Sequence, residues 1–109
     1  MWIVFRFTTL PVMTQTHNQD GRLTEALRLY ESAHERLTES VRLRRAVGHQ
    51  PGVAAGLLAL AELAVRSGRP DEAADLLAEA AATAEAAGAA GTLRWVDEAR
   101  AELAGQSGA

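Results

Sequence analysis

The sequence predicts an all-α protein of about four antiparallel helices, arranged as a helical-hairpin repeat. Three observations lead there. After residue 21, apolar residues recur at three- and four-residue steps over almost the whole chain. Glycine and proline fall in tight clusters, "GHQPG" at 48–52, "GRP" at 68–70 and "GAAG" at 88–91. Segments forty residues apart also match, "AELAVRSG" at 61–68 with "AELAGQSG" at 101–108, and "AVG" at 46–48 with "AAG" at 86–88.

The first twenty residues, "MWIVFRFTTLPVMTQTHNQD", stand apart. They hold none of the 23 alanines. Arg6 breaks the apolar run and no A-x-A site follows, so a signal peptide is not expected here. It is also too short to span a membrane. Residues 1–20 are therefore expected to be an irregular or flexible arm: either a plain leader, or a segment whose Trp2, Ile3, Phe5 and Phe7 cover an exposed helix face. The repeat domain is expected over 21–109.

The first helix is predicted over 22–46. No Gly or Pro interrupts it, and Leu23, Ala26, Leu27, Tyr30, Ala33, Leu37 and Val41 form one apolar stripe expected to face inward. Asp20 is placed as its cap and Gly48 as its stop. The second helix opens near Pro51, a residue with no N–H to leave unpaired, and carries "VAAGLLALAELAVRS" to Gly68. Gly68 is expected in the left-handed conformation that ends a helix. Pro70 and Asp71 start the third helix, the first by its fixed φ, the second by a carboxylate at the positive helix end. Its inward residues are Ala73, Leu76, Leu77, Ala80, Ala81 and Ala84. The last helix holds "TLRWVDEARAELAG", and its Leu93, Val96 and Leu103 are expected to form an uncovered end of the array. A second match, "GRLTEA" at 21–26 with "GRPDEA" at 68–73, has an offset of 47. The difference of seven from the forty-residue period implies that the first helix is a repeat's second helix, lengthened by two turns.

Residues 57–88 resemble a tetratricopeptide repeat. Leu57, Leu60 and Ala61 stand at the packing positions of its first helix, Gly68 in its turn, and Ala73, Leu77 and Ala80 on its second helix. Ala64 replaces the aromatic common on the first helix, Glu85 replaces the closing Pro, and forty residues exceed the usual repeat length. The longer spacing is similar to the C-terminal repeats of large bacterial signal-transduction ATPases and transcriptional activators. The resemblance implies a protein or peptide partner held on the first-helix side, and by repeat position it marks Ala55, Leu58, Glu62, Val65 and Arg66 as the partner-binding residues. It implies nothing catalytic, because neither an ATPase motif nor a helix-turn-helix is present in this chain.

Composition narrows the remaining classes. The chain has 109 residues, no Cys and a net charge of −3, and all eleven basic residues are Arg. No thiolate chemistry is available, and no basic footprint for nucleic acid or for an anionic membrane surface. His17, His34 and His49 lack metal-ligand spacing, and no nucleophile or phosphate-loop motif occurs. "RLRR" at 42–45 reads as cations at a helix C-terminus. Glu62, Asp71, Glu72, Asp75 and Glu79 read as solvated helix faces, and Trp95 as an aromatic over the array's end. The expectation is a cytoplasmic protein-interaction module with no cofactor, not an enzyme. The alternative is a structural piece that self-associates through open array ends.

Overall fold

The computed structural model describes residues 19–108; residues 1–18 and 109 lie outside it, and with them nearly all of the arm expected over 1–20. The described chain is all-α: α1 spans Gln19–Ala46, α2 Gln50–Arg66, α3 Pro70–Ala86 and α4 Ala90–Gly108. Each helix packs antiparallel on the next, and α2 also touches α4, so α2 is the central element.

Three turns of one design set this geometry. Gly48, Gly68 and Gly88 have φ of 74°, 74° and 68°. In each turn the glycine N–H donates to the carbonyl three residues back, and the next residue's N–H reaches the carbonyl five back. The latter bonds run from His49 to Arg44, from Arg69 to Ala64 and from Ala89 to Ala84, all 2.9 Å. This is the glycine-terminated helix end in which the left-handed residue satisfies the last carbonyls. The three glycines are spaced by twenty residues, so the forty-residue period is two copies of one helix–turn unit. With such short connections only antiparallel neighbours are reachable.

The core is built from small residues and aliphatics. Ala54, Ala61, Ala73, Leu77, Ala80, Ala84, Val96 and Ala99 are fully buried, flanked by Val41, Val53, Leu57, Leu60 and Leu103. Alanine at helix contacts lets the axes approach closely, and Gly56 does the same where α1 meets α2. A Cβ there would stand 2.6 Å from Val41 Cγ2. The Arg44 guanidinium donates to the Gly52 carbonyl at 2.9 Å, tying the end of α1 to the start of α2. The Arg69 guanidinium lies 4.6 Å from the Tyr30 ring centre, joining the α2–α3 turn to α1.

Three expectations need correction. Asp20 lies inside α1 rather than before it, since the described helix already includes Gln19. By the forty-residue register α1 would start at 30, the counterpart of Pro70, so it is lengthened by eleven residues (30 minus 19), three turns rather than two. Finally, Leu93, Val96 and Leu103 do not form an open end. Val96 and Leu103 are buried and Leu93 is half-buried, because α4 turns this face onto α3.

Candidate interaction surface

The five residues expected to bind a partner all lie on α2, but the structure does not present them together. Ala55 and Arg66 are exposed. Leu58, Glu62 and Val65 are buried, and Glu62 keeps only 3% of its surface. A central helix with neighbours on three sides buries most of its circumference, which leaves Gln50, Pro51, Ala55 and Arg66 as the exposed positions of the helix. The continuous docking face expected on this helix is thus reduced to two exposed residues separated by buried ones.

The other sequence candidates are absorbed locally. Arg42 donates two hydrogen bonds to Glu39, at 3.0 and 2.6 Å, and this guanidinium holds the Glu39 carboxyl below the usual carboxylate range. Arg44 is spent on the Gly52 carbonyl and Arg45 on Glu79 at 2.7 Å. "RLRR" therefore offers no free cation cluster. His34 is half-buried beside Tyr30, ring centres 5.6 Å apart. Among the described residues no group of three or more His, Asp or Glu side chains could hold a metal ion. No described helix is long and apolar enough to cross a membrane.

The two ends of the array differ in chemistry. On α4 the positions equivalent to the buried Leu57 and Leu60 of α2 are Asp97 and Arg100, both exposed. These charges make the outer face of α4 polar among the described residues. A shallow cavity of about 300 Å³ remains between α3 and α4, over Leu77 and Leu103 and rimmed by Asp71 and Arg100. Trp95 is the one large hydrophobic exposed on α4, at 38%.

The opposite end is apolar. Leu23, Leu27, Leu29 and Leu43 on α1, and Val47 just after it, are between 50% and 78% exposed. Leu23 and Leu27 continue the meridian that Leu37 and Val41 bury. They are bare because α2, about 26 Å long, ends before α1, about 42 Å long. Leu29 and Leu43 lie on a second strip, turned roughly 120° from the packed one. This strip lies off the single apolar stripe that the three- and four-residue period marks on α1. Its signal was two leucines fourteen residues apart, off the main stripe, in a helix otherwise rich in charge. No protein-family model, curated protein or solved structure matches this chain.

Proposed function

We propose that this protein is an interaction module of the helical-hairpin type, which works by docking a partner protein or peptide on a helix face. The observation that supports this most is the distribution of exposed apolar residues. Of six large hydrophobics exposed among the described residues, five lie on α1 and the residue that follows it. Scattered singly, such residues mean nothing; gathered on one helix they mark a contact surface. Repeat arrays present extended faces of this kind and rarely carry chemistry. The tetratricopeptide-like pattern of 57–88 supports the same class, and a partner-sensing piece of a bacterial transcriptional regulator, acting in the cytoplasm, is its most specific form. Arg66 and Ala55 are the part of the α2 face available to the same partner.

The test is site-specific photo-cross-linking in cells of the source organism. A cross-linker at Leu29 or Leu43 should trap a protein, and one at Ala78, exposed on α3, should not. Trapping at Ala55 and Arg66 alone would move the surface to α2. No trapping at any of these positions would remove the interaction reading. A second reading, self-association, is favoured by the pattern of the exposed strip on α1.

A further inference from the structure

We propose that the exposed strip of α1 pairs with the same strip of a second copy, antiparallel, across a twofold axis at Arg36. The inference rests on the reading of the chain as an interaction module and names its partner. The strip reads Leu29, Ser32, Arg36, Ser40, Leu43. At 100° per residue these five fall within about 80° of arc, on the side of α1 turned away from α2. Leu29, Arg36 and Leu43 are exposed, and Ser32 and Ser40 partly so.

The spacing is symmetric. Arg36 is seven residues from each leucine (36 − 29 and 43 − 36) and four from each serine (36 − 32 and 40 − 36). An isologous interface needs a surface that is its own complement under a half-turn. Antiparallel pairing about Arg36 sets Leu29 over the second copy's Leu43, and Ser32 over its Ser40. The four serines are small and let the axes come close near the centre, while the leucines close both ends.

Charge fits the same arrangement. Neither Glu35 nor Arg36 has an ion-pair partner among the described residues. Two Arg36 side chains on the axis would repel, but each lies within one turn of the other copy's Glu35; Glu39 is already held by Arg42. Two reciprocal Arg–Glu pairs result. Alternative placements fit less well: the outer face of α4 carries Asp97 and Arg100, so head-to-tail stacking would set the apolar strip against charge. The seam runs about 21 Å between the leucines. A single helix–helix seam of that length belongs with the smallest interfaces, below about 1,200 Å² of total burial, so a weak, reversible dimer is expected, with a Kd on the order of 10 μM.

Sedimentation equilibrium of the full chain from about 1 μM to 1 mM decides the association. The mass should rise from 11.6 kDa towards twice that value. Leu43→Glu should keep the protein monomeric at about tenfold higher concentration or more. Leu43 is half-exposed, so the melting curve of that variant at low concentration should match the parent and exclude misfolding. Because the chain has no cysteine, Arg36→Cys should cross-link to itself on oxidation. Leu29→Cys should cross-link only when mixed with Leu43→Cys. Self-linking of Leu29→Cys, or a dimer indifferent to Leu43→Glu, overturns the proposed register. A chain that stays monomeric at 1 mM (on the order of 100 times the expected Kd) overturns the dimer altogether. In that case a cross-linker at position 43 identifies the true occupant: trapping of another protein leaves the module reading standing, reaction with residues 1–18 assigns the strip to an internal cover, and no product ends both proposals.

Discussion

Gly56→Ala tests whether α1 and α2 touch as closely as the structure shows. The added Cβ would meet Val41 Cγ2 at 2.6 Å, where ordinary carbon contacts are about 3.5–4.0 Å. Val41 cannot swing aside, because it is buried and because a helical valine is held largely to one χ1 well. Overpacking of this kind costs about 1–3 kcal/mol. Replacing glycine by alanine inside a helix returns about 1 kcal/mol. The net loss is therefore about 1 kcal/mol, which in a domain of this size lowers Tm by roughly 4–8 °C. Gly105, in α4, has nothing within 4 Å of its Cβ position, so Gly105→Ala should instead stabilise by about 0.5–1 kcal/mol. Thermal melts followed by circular dichroism compare the two. Placing Gly56→Ala in a Val41→Ala background removes the clashing methyl and should reverse the sign of its effect. If Gly56→Ala raises Tm in the parent chain as Gly105→Ala does, the close approach is wrong.

Three further outcomes follow from burial and backbone geometry. Gly68→Ala should destabilise by about 1 kcal/mol or more, through strain at φ 74° rather than a clash, because nothing stands within 4 Å of its Cβ. Chemical denaturation of Gly48→Ala and Gly88→Ala should give similar values, and a spread of several-fold would mean the turns are not equivalent. Ala73→Leu should cost about 1–3 kcal/mol, since Ala73 has no exposed surface; a neutral effect in urea unfolding would place it outside the core. Leu103→Glu should cost at least the roughly 2–5 kcal/mol of a buried leucine truncation while leaving the association state of the folded fraction unchanged. A stable Leu103→Glu variant with altered association would return the contact surface to α4.

What was legible in the sequence and what was not divide along a physical line. Helix ends were legible because their signals are local. Gly48 and Gly68 stop their helices by conformation alone, and Pro51 and Pro70 start the next ones where their missing N–H does no harm. Residues placed inward by period in the central repeat, Leu57, Leu60, Ala61, Ala73, Leu77 and Ala80, are buried, since a helix flanked on both sides must hide its stripe. Period alone cannot say whether a partner is present to cover a stripe. Leu23 and Leu27 have the same spacing as Leu37 and Val41, yet stay bare because α2 is too short to reach them. Conversely, Leu93, Val96 and Leu103 looked uncovered when counted in repeats, but the single neighbour α3 suffices for them.

Exposure on α2 was hard to read from the sequence for the same reason. Repeat position put Ala55, Leu58, Glu62, Val65 and Arg66 on one face, but exposure depends on every neighbour of α2, and three of the five are buried. The exposed leucines lie on α1, whose described length departs from the forty-residue register by eleven added residues. Those residues carry Leu23, Leu27 and Leu29, the last of them one residue before the register resumes. A helix that ran only from residue 30 would keep Leu43 without its symmetric partner. The extension thus supplies both the apolar overhang and one half of the symmetric strip, so the proposed pairing of two copies depends on the added length.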